Sequence, residues 1–360
     1  MSVQIKVYKN LTDIKESWRL LNQLATDDSI YTKYDWCESW LEVFYPNAEI
    51  FLYSAYYKNK IAALIPLYLK DDFFKSINLI GDDLIDQYIF LMNHEIIRNN
   101  KDKEVINSLL SAIYKDFYNN CVIFKNLDNS YLSKYRFRNT LTINRGHVYK
   151  LKKSNFFISS KQKKKTRYLI SQITKNYHQY LVDIDCDNLP QTLIPTSLNY
   201  KKNRLKEIKS FSKLIEDSYV NKMHLFFSSL HKKLLLHSSF LNIENTFVAT
   251  HIGFKYKDKV YYVIPSYNDA FQKFSPGKLL LNSIIEKSFN KDFVLFDFGY
   301  GDEEYKKNYD CDKYPVSSIV LITNLSSLFS GTALKTRQFL SSSSVLRDIY
   351  IFLRKTLNYE

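Results

Sequence analysis

Ser275-Pro276-Gly277-Lys278 is a place where a chain can hold an anion. Pro276 suits the first position of a helix, where no N–H is needed, and Ser275 before it can accept a hydrogen bond from a free amide of the first turn. Gly277 has no side chain, so another group can approach the backbone closely. A phosphate set there meets unpaired N–H groups and the positive end of the helix dipole. Upstream lies Lys259-Val-Tyr-Tyr-Val-Ile-Pro-Ser-Tyr267, an apolar strand. Downstream, Phe296-Asp-Phe-Gly-Tyr-Gly-Asp-Glu-Glu-Tyr-Lys306 reads as a second strand that ends in a carboxylate-rich turn. A phosphate-bearing donor near one strand end, with acids near the next, describes a group-transfer site. Asp297 stands inside an apolar run, where burial would suit a carboxylate to general-base work. An aspartate bonded to backbone amides is the other reading of the same residue.

These residues need elements to position them. The first half opens with a strand at Val3–Tyr8 and a helical pattern from Asp13, then a second amphipathic stretch, Tyr34–Phe44. Strands at Phe51–Tyr57 and Ile61–Leu69 flank a hairpin turn at Lys58-Asn59-Lys60, and further strands are expected at Ile77–Ile80, Gln87–Met92 and Cys121–Leu127, with a helix at Lys103–Phe117. The second half repeats the plan: a helix at His224–His237, then strands at Phe240–Ile243 and Thr246–Tyr256 about Glu244-Asn245. Asn59-Lys-Ile-Ala-Ala63 and Asn245-Thr-Phe-Val-Ala249 align by residue type at an offset of 186 residues, which supports a tandem duplication. His251, on the strand after the second turn, is a core histidine or a substrate contact.

The Ser-Pro-Gly helix start, the Phe296–Lys306 motif, Gly81-Asp82 with Asp86-Gln87-Tyr88, and the basic run Lys163–Arg167 together resemble the acetyltransferase family associated with cellulose and other surface-polysaccharide clusters, the CelD/BcsL-like branch of the GNAT superfamily. The likeness spans roughly residues 5–323 and is best in the last third. It implies an α+β fold of tandem GNAT-like domains, each a mixed, mostly antiparallel sheet flanked by helices. The domains fall at 1–150 and 151–325, with a helical tail at 326–360. It further implies an acyl-CoA-dependent N-acyltransferase, acting on an amino sugar or related surface-polysaccharide precursor by direct attack on the thioester, with no metal. Tyr267, Ser275, Pro276, Gly277 and Lys278 would hold the acyl-CoA, with Asp297 as the base. Tyr305 would protonate the leaving thiolate, Lys306 would hold a substrate anion, and Asp86, Arg167 and His251 would contact the acceptor. The sequence departs from the family at Gln87, inserted where Asp-Tyr is usual, and it lacks the full Gly-rich loop of the Arg/Gln-x-x-Gly-x-Gly/Ala form.

Composition bounds the alternatives. The 360 residues, 45% of them hydrophobic, suit two domains with sizeable cores. A net charge of +14 speaks to weak anion binding rather than to fold. Between Lys150 and Lys175 stand nine basic residues and no acid, either a solvated helix face or a clamp on an anionic substrate. Lys201–Lys209 adds a basic patch in what reads as a polar loop with Pro190 and Pro195. The four cysteines form no Cys-x-x-Cys pair, and His224, His231 and His237 lack metal-site spacing. No Gly-x-Ser-x-Gly motif or P-loop occurs. No apolar run is long enough to span a bilayer, which points to a cytoplasmic protein. Contact with the inner membrane face stays open through the amphipathic pattern of Leu346, Ile349, Leu353 and Leu357. A Fem-like transferase taking an aminoacyl group from tRNA, and a non-catalytic binding protein, are the competing functional classes.

Overall fold

A computed structural model describes residues 3–71, 75–157, 160–186, 188–210 and 212–321. The helical tail expected at 326–360 lies outside the described residues. The chain divides into two units, neither of them continuous in sequence. One holds residues up to Asp28, Asn47–Arg145 and the chain from Val316; the other holds Ser29–Pro46 and Gly146–Pro315.

The first unit is a mixed sheet with the order β1 (Gln4–Tyr8), β2 (Ile50–Tyr57), β3 (Lys60–Lys70), β4 (Ser76–Leu79), β6 (Cys121–Asp128) and the Val316–Leu321 part of β13 (Asp312–Leu321). Short β5 (Leu91–Met92) pairs with β3. All of these pairings are antiparallel except β4 with β6. Its helices are α1 (Lys15–Leu24), α3 (His94–Arg98), α4 (Asp102–Asp116) and α5 (Ser130–Lys134). The strand expected over Gln87–Met92 shortens to β5, and Tyr88 makes only an isolated bridge to Leu127.

The second unit repeats the scheme. Its sheet runs β7 (Thr140–Lys152, from Gly146), β12 (Leu295–Tyr300), β11 (Lys259–Tyr267), β10 (Thr246–Tyr256), β9 (Leu236–Ile243) and β8 (Tyr180–Ile184). Again a single pair is parallel, β11 with β12, and α9 (Pro276–Asn290) makes the crossover. Both central hairpins turn through left-handed pairs: Lys58 and Asn59 have φ of 52° and 62°, and Glu244 and Asn245 have 46° and 66°. That is the turn whose twist matches antiparallel strands. The tandem α+β arrangement read from the sequence is thus the arrangement found.

The remaining helices of this unit are α2 (Tyr34–Phe44), α6 (Ser160–Asn176), α7 (Leu193–Glu207) and α8 (Asp217–Lys232). α8 stops at Lys232, and His237 lies in β9 rather than ending the helix. Trp36 and Phe44 of α2 meet the edge of Phe226 on α8, and Lys233 donates to Glu38 Oε2 and Ser39 Oγ, each at 2.8 Å. α7 corrects the expectation of a loop across Lys201–Lys209. Pro195 falls in its first turn, where the missing N–H costs no bond, and Leu193, Ile194 and Leu198 bury its inner face. Among the described residues no helix is long and apolar enough to cross a membrane.

β10 bulges between Ile252 and Phe254, and a Cβ at Gly253 would lie 2.1 Å from the Tyr261 carbonyl oxygen, so only glycine fits. Beside the bulge His251 is fully buried, stacked on Tyr262 at 4.5 Å and 5.5 Å from the His237 ring. No ring nitrogen of either histidine has a hydrogen-bond partner among the described residues. Burial pushes His237 down to about 4, and burial with the neighbouring His237 pushes His251 well below the usual value. Both rings are therefore neutral in the folded chain, whereas an unfolded histidine protonates near pH 6.5. Below that pH the unfolded state binds more protons. Stability then falls with pH by about 1.4 kcal/mol per unit for each ring, until the folded ring protonates too. His251→Phe keeps an aromatic ring in the stack and removes two unsatisfied nitrogens. It should leave stability at pH 7 unchanged or higher and make the loss between pH 6.5 and 4.5 shallower, as read by urea denaturation. An unchanged acid limb would rule out His251 as its source.

Candidate active site

β11 and β12 pair in parallel only from Lys259–Tyr261 against Leu295–Asp297. Beyond that point the two strands part, and β12 shifts register against β7 between Asp297 and Tyr300. Pro265 marks the gap: a proline without an N–H is tolerated in a strand where one neighbour is missing. A cavity of about 320 Å³ opens in this unit. Tyr262, Ser266 and Tyr267 of β11 form one wall, the start of α9 another, α7 a third, and the 3-10 turn Glu304–Asn308 contributes Tyr305.

Gly277 and Lys278 line the cavity directly, as does Tyr267. Pro276 takes the first helical position as expected, and its ring is buried. Ser275 corrects the reading made of it. Its backbone is left-handed, with φ 48° and ψ 51°, and its side chain caps nothing. Its carbonyl instead accepts from the amides of Lys278 and Leu279 at 3.0 and 3.2 Å. The Gly277 amide, at the second helical position, has no partner within the helix and is the donor an anion would meet. A Cβ on Gly277 would touch only Tyr267 Cδ1, at 3.5 Å, so the glycine keeps volume open rather than relieving strain.

The expected catalytic residues divide. Tyr305 lines the cavity, with its ring 6.5 Å from Tyr262 and 6.2 Å from Phe298. Lys306, next in sequence, points the other way. Only 1% exposed, its ammonium donates to the carbonyls of Gly299, Tyr300 and Gly301 at 3.1, 3.2 and 2.9 Å and pairs with Glu303 at 2.7 Å. It braces the turn and does not reach a substrate anion. Asp297 is buried and outside the cavity lining; it accepts from the Gly299 amide at 2.8 Å and lies 3.8 Å from Lys150 Nζ. That is the backbone-bonded aspartate of the two readings. A mid-strand carboxylate next to a bulge satisfies the amide the bulge strands.

The three expected acceptor contacts do not gather at the cavity. His251 is sealed in the core behind Tyr262. Arg167 is exposed on α6, and Asp86 is half-buried in the first unit.

The sequence reading missed several contributors. Tyr200, Lys201 and Arg204 face the cavity from α7. Tyr200 is fixed by its bond to the Phe247 carbonyl at 2.9 Å, and Arg204 by Glu207 at 3.1 Å. Thr250 of β10 lines the cavity with its buried Oγ1 unsatisfied among the described residues, a polar atom that a ligand could bond. Tyr309 is held by Asn282 at 2.7 Å. The spacing of Tyr200 and Arg204, four apart on one helix face, was the available signal, and Pro195 hid the helix. Among the described residues no cluster of three or more His, Cys, Asp or Glu side chains could hold a metal ion.

An acetyltransferase (GNAT) domain profile matches residues 164–307, which contain this whole lining except Asn308 and Tyr309. Solved structures share the fold across most of the chain. FemX superposes with a TM-score of 0.63 at 8% identity, covering 89% of this chain and 97% of that one. The C-terminal domain of a putative lysylphosphatidylglycerol synthetase from Agrobacterium fabrum gives 0.54 at 10% identity, covering 90% and 97%. L-PGS from Bacillus licheniformis gives 0.52 at 13% identity, covering 83% and 95%. At these identities the likeness speaks to fold alone. No curated protein matches the chain by sequence.

Proposed function

We propose that this chain, an acyltransferase whose residues 164–307 form an acetyltransferase (GNAT) domain, moves an acyl group from coenzyme A to the amine of an amino sugar or related surface-polysaccharide precursor. The observation that carries this reading is the cavity at the parting of β11 and β12, with the α9 start on its wall. GNAT domains in general take acyl-CoA as co-substrate. Its diphosphate suits the Gly277 amide and Lys278, and an apolar cavity of this size suits the acyl end. Transfer then needs the amine held in line with the thioester carbon, and positioning supplies much of the rate. A precursor carried on a lipid phosphate would bring the exposed Lys163, Lys164, Lys165 and Arg167 of α6 to the inner face of a membrane.

Thermal melts with acetyl-CoA, longer acyl-CoAs and free CoA test the donor. At a concentration of 100 Kd a ligand adds about 2.7 kcal/mol. For a domain of this size that raises the Tm by roughly 5–10 °C. A shift with acetyl-CoA that exceeds the shift with CoA supports the reading. No shift with any thioester favours a second reading, an aminoacyl-tRNA-dependent transferase. The exposed basic run of Lys163, Lys164, Lys165 and Arg167, suited to an RNA backbone, is the observation behind this alternative, and salt-sensitive binding of aminoacyl-tRNA is its signature.

A further inference from the structure

Direct acyl transfer needs a group that removes a proton from the acceptor, and Asp297 is committed to the Gly299 amide and Lys150. Among the cavity-lining residues the sole carboxylate is Asp269, which is exposed at the rim. Lys201 is different. It is half-buried on the cavity side of α7, and it makes no hydrogen bond or ion pair with a described residue. Its sequence neighbours are engaged: Lys202 with Asp217, Arg204 with Glu207. A lysine amine half-buried beside an apolar cavity, with no carboxylate bonded to it, is disfavoured as a cation.

We propose that Lys201 is a catalytic residue of the transfer: as the free amine it takes the proton of the attacking acceptor and hands it to the departing thiolate. This rests on the acyl-CoA reading above. The bond from acceptor nitrogen to acyl carbon forms and the carbon–sulfur bond breaks. The proton passes from acceptor to Lys201 Nζ and on to sulfur, so the lysine ends as it began. Burial pushes the Lys201 ammonium below its ordinary value; Glu303 opposes this, and Lys306 adds to it. Arg204 and Lys278, facing the same cavity, also disfavour a further cation, and Asp269 at the rim acts the other way.

A free amine beside a bound thioester is itself a nucleophile. Without acceptor, Lys201 should attack acetyl-CoA, forming an amide and releasing the CoA thiol. The test incubates the full chain with acetyl-CoA alone from pH 6 to 9. Acetylation of each lysine is followed by peptide mass spectrometry and binding by calorimetry. Lys201 is expected to react at least tenfold faster than the exposed Lys58 and Lys103, and to reach its plateau at lower pH than they do. K201R and K201M should each bind acetyl-CoA within threefold of the native chain, because the amine serves the proton and not the phosphates. Two results overturn the proposal while leaving the acyl-CoA reading intact. One is tight acetyl-CoA binding with Lys201 no more reactive than Lys103. The other is a loss of binding in K201M that K201R restores, the behaviour of a phosphate anchor. Absence of acetyl-CoA binding by the native chain overturns both readings.

Discussion

Gly277→Arg is expected to weaken acetyl-CoA binding at least a hundredfold while the protein stays folded. The glycine sits at the second position of α9, where the cavity reaches the helix. A Cβ there meets only Tyr267 Cδ1 at ordinary contact distance, 3.5 Å, so the backbone tolerates a side chain. Six further heavy atoms have one direction open to them, into a cavity of about 320 Å³. They would occupy the space beside the Gly277 amide that a diphosphate needs, and a hundredfold loss corresponds to about 2.7 kcal/mol. Gly277→Ala is the control. It stays within threefold in affinity and, being the better helix former, raises stability by up to about 1 kcal/mol. Calorimetry with acetyl-CoA and melts without ligand separate the two effects. If Gly277→Arg binds as the native chain does, the cavity is not the donor site.

Lys306→Met is expected to act in the opposite sense, on folding rather than on binding. The ammonium satisfies three consecutive carbonyl oxygens, of Gly299, Tyr300 and Gly301, and pairs with Glu303. Methionine fills similar volume but leaves those oxygens without their donor. Unsatisfied buried acceptors and a broken charge-assisted set cost about 3 kcal/mol. In a domain of this size the Tm would fall by roughly 6–12 °C. At a temperature where the variant is folded, acetyl-CoA affinity should change by less than threefold. A lysine that held a substrate anion would give the reverse pattern, normal melting and lost binding.

How much of this was readable from sequence depended on the range of the interaction. Local chemistry was legible. Lys58-Asn59 and Glu244-Asn245 announced two tight turns, and Pro276 announced the start of α9. Repetition of the hairpin announced the plan that the two units share. The face a side chain chooses was not legible. Tyr305 and Lys306 are adjacent, yet the 3-10 turn sends one to the cavity and the other to the backbone of Gly299–Gly301. Asp297 was recognisable as buried, but its partner Lys150 comes from a strand far earlier in the chain. α7 was lost to Pro195, because a proline in a first turn and a proline in a loop look alike until the flanking residues are seen to be buried.

The exchange of segments between the two units bears on the order in which a ribosome delivers them. The first unit is begun first and finished last: its strand β6 waits for Val316–Leu321, which pair with Val122–Asp128 only after the entire second unit has been synthesised. Conversely, Trp36 and Phe44 emerge early and wait for Phe226 of α8 to cover them. Vectorial, one-unit-at-a-time folding is therefore closed to this chain. Closing such long loops is slow, and the waiting aromatic face and strand edge make the nascent polypeptide a client for chaperones. A gene cut near codon 150 would divide neither unit cleanly, and each fragment would carry a strip of the other's core.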